Sequence, residues 1–241
     1  MFCSQIMSAN IQYNCGEDCH IRSSSIFKHL TNEDLDKLNF DKKSESYKRG
    51  TVLYHEGSRI NGCYCIQKGI IKVYKTGVDG KEQIIRFAKH GDLIGFRSVL
   101  SKELACTTAK VLEDAFVCHI PAQTFIELIK NNGTFSLELL QLACRELGEA
   151  NAYITDIAQK TVRERLAEIL IHLKNEFGLD DHKILQISLT REELANIVGT
   201  ATESVIRLLS EFKHDKLIDL NGRKIAVLNE AALIRIANLY E

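Results

Sequence analysis

The chain has 241 residues, 45% apolar content and a formal net charge of -1: enough apolar material for two modest cores, and no overall charge that announces nucleic acid or a membrane. No apolar run reaches the ~18 residues that cross a bilayer, and the opening "MFCSQIM" lacks the basic start and apolar core of a signal peptide. The expectation is a cytoplasmic protein without a membrane partner, whose eight cysteines are not a disulfide framework, because cytosolic thiols are kept reduced.

From Tyr47 to Pro121, glycines recur at short intervals between β-favouring runs such as "CYCIQKGIIKVY" and "EQIIRFA". Asp79-Gly80 supplies a hairpin turn, and the whole stretch reads as a compact all-β roll. Pro121 is the single proline, and from Ala122 the pattern turns helical.

Between Gly133 and Gln159, Leu140, Ala143, Leu147, Ala150, Ile154 and Ile157 recur at alternating steps of three and four. That is an a/d seam, which predicts a long helix pairing with a second copy of the chain. The register lasts under three heptads, so packing of the helix on its own domain is the alternative.

"TVRE", with Thr161 and Glu164, forms a capping box ahead of an amphipathic helix carrying Leu166, Ile169, Leu170, Leu173 and Phe177, and Gly178 ends it. A second box, Thr190 and Glu193, opens "TREELANIVG". After the next helix, "KLIDLNGRKIAVL" offers two short strands joined by Asn221-Gly222. Helix, helix, tight turn, helix and β-hairpin is the order of a winged helix-turn-helix.

Its third helix, within "GTATESVIRLLSEF", puts Val205, Leu208, Leu209 and Phe212 on one face as core. Glu203, Ile206, Arg207 and Ser210 share the opposite face, with Thr202 beside them in the first turn. Local chemistry explains part of this display: Thr200 and Glu203 fit a capping box, and Glu203 with Arg207 fits an i,i+4 ion pair. Ile206 is left over. An isoleucine between Glu and Arg suits a thymine methyl in the major groove, while arginine can grip guanine O6 and N7 and glutamate can accept from cytosine N4.

"LTREELANIVGTATESVIRLLSEFKHDKLI" resembles the DNA-binding domain of the Crp/Fnr superfamily of bacterial transcription regulators. The recognition helix of that family carries a Glu, three residues, then an Arg, which are Glu203 and Arg207 here. The family has serine or glycine where this chain has Ile206. "YHEGSRINGCYCIQKGIIKVYKTGVDGKEQIIRFAKHGDLIGF" resembles the family's β-roll and "VCHIP" its end, so the resemblance spans nearly the whole chain. It implies an α+β architecture: a cyclic-nucleotide-binding-like β-roll after a leader (residues 1–130), a long dimerisation helix (131–160) and a winged helix-turn-helix (161–241). Double-stranded DNA with a near-palindromic operator, a second copy of the chain and RNA polymerase are the implied partners. From Lys160 onward, twelve Lys and Arg stand against thirteen Asp and Glu, so positive charge must be segregated by folding. Arg191, Arg207, Lys213, Lys216, Arg223 and Lys224 are the candidates for phosphate contact, the last two on the wing.

In the cyclic-AMP branch of this family, a Gly-Glu pair and a later Arg-Ser pair hold ribose and phosphate. Here "GDLIGF" supplies Gly91-Asp92, but "LACTTAKV" has no arginine from Leu104 to Thr108. A cyclic phosphate buried without a cation would meet a large desolvation cost, so cyclic nucleotide is disfavoured. "NCGEDCHIRSSSIF" resembles instead the oxygen-sensing Fnr branch, in which amino-terminal cysteines and one roll cysteine hold a [4Fe-4S] cluster. The resemblance points to Cys15, Cys19 and Cys118; Ser25 occupies the third amino-terminal ligand position, which leaves Cys3 as the replacement. An iron-sulfur cluster, a thiol switch or another metal, and ordinary cysteines all remain open. Cys63, Cys65, Cys106 and Cys144 read as structural, the first two alternating around Tyr64 on a strand and Cys106 in a β run. No nucleophile-base motif, phosphate loop or catalytic metal signature appears, so an enzyme is not expected. A same-shape regulator with an organic effector or none, and a cyclic-nucleotide signalling module without DNA, are the rival readings.

Overall fold

The computed structural model describes residues 26–239; Cys3, Cys15, Cys19 and Ser25 lie outside them. The described chain divides into two compact units, one made of residues up to Ile71 with Ala88–Leu140, the other of Lys72–Phe87 with Gln141 onward.

In the first unit a short 3-10 turn, Ile26–His29, buries Phe27 against Phe135 with ring centroids 5.6 Å apart. Helix α1 (Asn32–Asp41) starts at Thr31, whose capping box with Asp34 satisfies backbone donors that a helix start leaves unpaired. The sheet then runs through β1 (Lys43–Tyr47), β2 (Val52–Tyr54), β3 (Gly62–Thr76), β4 (Glu82–Ala88), β5 (Leu93–Ile94) and β6 (Thr108–Pro121), with α2 (Phe96–Ser101) inserted before β6; the end of β3 and nearly all of β4 belong to the second unit. Strand order is β1-β6-β3-β4, with β2 on β6 and β5 on β3. The sheet thus begins at Lys43, four residues before the expected start of the roll, and Pro121 closes it as expected, followed by α3 (Ala122–Asn131). Cys63 and Cys65 are buried to either side of half-buried Tyr64. Cys106 sits in a bend ahead of β6 and not in a strand.

Helix α4 spans Gly133–Gln159, the interval of the seam. Leu137, Leu140, Leu147, Ile154 and Ile157 are among the exposed large apolar side chains, at 41–65%. An isolated helix of this kind would leave a stripe of apolar surface in water.

The second unit builds the winged module on α5 (Val162–Phe177), α6 (Arg191–Val198) and α7 (Thr202–His214). Both expected capping boxes form, Thr161 with Glu164 and Thr190 with Glu193. Leu166, Leu170, Leu173, Leu194, Leu209 and Phe212 are almost wholly buried and make the core. The wing is β7 (Ile218–Asn221) paired antiparallel with β8 (Lys224–Val227). Asn221 pairs with Lys224, so the two-residue loop is Gly222-Arg223 and not Asn221-Gly222. Gly222 has φ 58° while Arg223 stays outside the positive region, the pattern of a turn with glycine first. A third segment joins the wing: Ile184 bridges Ala226, with Leu185 N–H donating to Ile225 O and Val227 N–H to Lys183 O, each at 2.9 Å. Helix α8 (Glu230–Ile236) closes the module with Leu233 buried.

The turn between α6 and α7 is made by Gly199, φ 72°, whose N–H donates to Ala195 O at 2.9 Å. A Cβ there would stand 2.9 Å from Ile157 Cδ1. Only glycine takes this conformation without cost, the penalty for other residues being about 1–2 kcal/mol. Gly199→Ala is therefore expected to lower the urea unfolding free energy of the winged module by about that amount. Unchanged unfolding would show that the turn carries no such constraint.

Candidate nucleic-acid interface

Helix α7 has two faces. Val205, Leu208, Leu209 and Phe212 are buried, and Glu203, Ile206, Arg207 and Ser210 are exposed, with Ile206 at 49%. Thr202, the first helical residue, is half-buried. The display expected from the spacing therefore forms, and the isoleucine stands in it without apolar cover.

Two local expectations fail. The N-cap is Ala201, which offers no side-chain oxygen, so Thr200 and Glu203 make no capping box. Thr200 is drawn into the preceding turn, where its N–H donates to Ala195 O at 3.1 Å. Arg207 does not pair back to Glu203 either. Its Nη1 donates forward to Glu211 Oε1 at 2.6 Å, because Glu211 is itself drawn to this side by Arg163.

The candidate phosphate contacts separate. Arg223 and Lys224 are exposed on the wing. Arg191 is half-buried and donates through Nη2 to Gly222 O at 2.8 Å, which ties the start of α6 to the wing loop. Burial lowers the Arg191 pKa from the usual arginine range. Lys213 is engaged with Asp219 Oδ1 at 2.8 Å and Leu220 O at 3.2 Å, and Lys216 is exposed.

The hold on the α6–α7 turn comes from residues that spacing did not single out. Lys81 Nζ donates to Thr200 O, and Gln83 Nε2 donates to Asn196 O and, at 2.6 Å, to the Tyr153 hydroxyl. Arg165 donates to Val198 O at 3.0 Å and Gly199 O at 3.4 Å, and to Lys160 O at 2.7 Å. No periodicity marks a polar residue whose partner is a backbone carbonyl far along the chain.

Of the proposed metal ligands, only Cys118 lies among the described residues. It is buried, with Sγ 3.1 Å from both Ser44 Oγ and Gln67 Nε2. Among the described residues no group of three or more His, Cys, Asp or Glu could hold a metal ion. A cubane cluster takes four thiolates, so the described residues do not by themselves fit one. In the roll, Asp92 Oδ2 accepts from Lys89 N at 2.9 Å, and Thr108 Oγ1 from Glu56 N at 2.9 Å. No arginine lies between Arg97 and Arg145 to meet a phosphate. On α4, Leu140, Leu147, Ile154, Ile157 and Ala150 are exposed and Ala143 is half-buried.

Residues 44–132 match the family model described as a cyclic nucleotide-binding domain, and residues 164–236 the Crp-like helix-turn-helix domain. The fumarate and nitrate reduction regulatory protein of Vibrio cholerae is 28% identical over 239 residues, 98% of this chain and 94% of that one. Its namesake from Escherichia coli K12 is 28% identical over 97% of this chain and 94% of its own length. The transcriptional activator protein Anr of Pseudomonas protegens is 27% identical over 96% and 95%. Among solved structures, FixK2 from Bradyrhizobium japonicum superposes with a TM-score of 0.73 at 22% identity, covering 81% of this chain and 96% of that one.

Proposed function

The chain belongs to the Crp/Fnr superfamily of transcription regulators, and from that premise we propose that it binds a near-palindromic DNA operator as a homodimer and answers oxygen, nitric oxide or another redox cue. Residues 1–130 are the sensing part, 131–160 the dimerisation helix and 161–241 the DNA-binding part. The observation that carries the reading is the outward row Glu203, Ile206 and Arg207 on a helix whose other face is core. Arg207 reads guanine, Glu203 accepts from cytosine and Ile206 meets a methyl group, with Thr202 at the helix start. Arg223 and Lys224 meet phosphates, and Arg191 does so while steadying the wing.

Pairing along α4 covers its apolar stripe and sets two recognition helices ~34 Å apart, one helical turn of the duplex. RNA polymerase is the further partner and the cytoplasm the location. The redox cue is supported by relatives named for fumarate and nitrate reduction, both electron-accepting reactions. Cys118 is the described thiol of the response, and Cys3, Cys15 and Cys19 are its candidate partners. A cyclic nucleotide is not the effector, given the absence of a cation from Leu104 to Thr108.

On a duplex selected by the protein from a random library, Arg207→Ala is expected to cost ~1–3 kcal/mol and relax preference at one base pair, whereas Lys224→Ala weakens all duplexes alike. Equal affinity of the Arg207 variant and the parent removes the assigned role. Sedimentation of a Leu147→Glu, Ile154→Glu double variant is expected to give a monomer, since like charges would face each other across the seam; a persisting dimer places the interface elsewhere. Specific affinity measured without oxygen is expected to fall after exposure to air, and indifference to air removes oxygen as the cue. Iron and sulfide analysis of the same anaerobic sample distinguishes a cluster from a thiol switch.

A further inference from the structure

Arg207 is the outer end of a chain of charges that begins with Arg163, a half-buried side chain lying over a core ring. Phe212 is fully buried, and the guanidinium carbon of Arg163 lies 4.9 Å from the centroid of its ring. Arg163 Nη1 donates to Glu211 Oε2 at 3.1 Å, and Nη2 to Asp215 Oδ2 at 3.3 Å. The other oxygen of Glu211 takes Nη1 of Arg207 at 2.6 Å. These side chains line one open groove with Ser210 and His214.

Stability does not explain the arrangement. The Arg207 and Glu211 side chains are 67% and 39% exposed, and ion pairs so open to water contribute little to folding. Direction does. An arginine discriminates guanine only when two of its N–H groups meet O6 and N7 together, which demands a set plane for the guanidinium. A long side chain free in solvent must give up rotamer freedom to adopt that plane. Glu211 takes one Nη1 hydrogen of Arg207 and leaves Nε, Nη2 and the second Nη1 hydrogen available. Arg163, stacked on a buried ring, keeps Glu211 itself from wandering.

We propose that Glu211 is a positioning residue for base reading, holding the guanidinium of Arg207 in one plane while Arg163 fastens Glu211. This rests on the reading of α7 as the helix that enters the major groove. The same carboxylate faces the polyanion as a like charge, so it opposes sequence-independent binding. Discrimination and general affinity should therefore move in opposite directions when it is removed, which loss of folding would not produce.

The test uses the full-length dimer, the library-selected duplex, the same duplex with the base pair of Arg207 replaced, and a random duplex, at one salt concentration. Glu211→Ala is expected to reduce the discrimination ratio about three- to tenfold, in the range of couplings between contacting residues. Affinity for the random duplex should stay level or rise. Glu211→Gln, which keeps an acceptor oxygen, should lose less discrimination than Glu211→Ala. In an Arg207→Ala background the Glu211 substitution should leave the ratio untouched. The proposal is overturned if Glu211→Ala keeps the full ratio while Arg207→Ala abolishes it, or if it lowers the ratio equally in both backgrounds. Should Arg207→Ala itself leave the ratio unchanged, the groove-reading role of α7 fails and the positioning role with it.

Discussion

Five consecutive carbonyls, those of residues 196 to 200, fix the turn on which the outward display depends. The last carbonyls of a helix have no partner within it, and here each takes a donor from a side chain. Gln83 serves Asn196, the Tyr153 hydroxyl serves Ile197 at 3.4 Å, Arg165 serves Val198 and Gly199, and Lys81 serves Thr200. Two of the four donors are cations at the negative end of the α6 dipole, where positive charge is favoured. The amides of Gly199 and Thr200 meanwhile both turn back to Ala195 O. Neither the carbonyl nor the amide side of the turn is left to water alone, so α7 leaves α6 in one direction.

The donors come from separate parts of the chain. Lys81 and Gln83 belong to the β3–β4 hairpin segment, Tyr153 to α4 and Arg165 to α5. Helix α4 accordingly has two tasks on neighbouring faces. Leu140, Leu147 and Ile154 stand exposed along the seam, while Tyr153 reaches the turn and Ile157 lies against Gly199. Ile157, assigned from spacing to the seam alone, is shared between the two. A shift of α4 about its axis would disturb the carbonyl clamp, so the pairing proposed for α4 would have a physical route to the orientation of α7. Tyr153 is suited to the position because its hydroxyl accepts from Gln83 and donates to Ile197 O, and burial raises its pKa.

What the sequence made legible was local. The capping boxes at Thr161 and Thr190, the glycine stop at Gly178 and the bounds of α4 each depend on residues within a turn or two, and all appear where expected. The failures are contests between local signals and distant partners. Thr200 had the right type and spacing for a cap, but the demands of the Gly199 turn moved the cap to Ala201. Arg207 had two carboxylates one turn away on either side, and a residue on another helix decided between them. The Lys183–Leu185 edge of the wing and helix α8 carry no strong period of their own and form by pairing and packing with elements already in place. Cys118 could be placed in the roll from "VCHIP", whereas its neighbours Ser44 and Gln67, which lie 74 and 51 residues away in the chain, could not.

A net acidic winged module looks ill-matched to a polyanion until the acids are followed to their partners. Glu164 and Glu193 close capping boxes, Glu168 holds Lys160, Asp219 holds Lys213, and Glu211 and Asp215 hold Arg163. These carboxylates are occupied by helix starts and cations, whereas Glu203 stands exposed in the outward row beside Arg207 and Ile206. On the wing, by contrast, Arg223 and Lys224 point to solvent, and Arg191 spends a donor on a backbone carbonyl that leaves its charge uncompensated. Since exposed charges act over about a Debye length, ~8–10 Å at physiological salt, such local pairing sets the field a duplex meets more than the total does. Segregation of charge by specific pairs lets a module with a formal charge near zero carry a positive edge on the wing and a mixed row on α7.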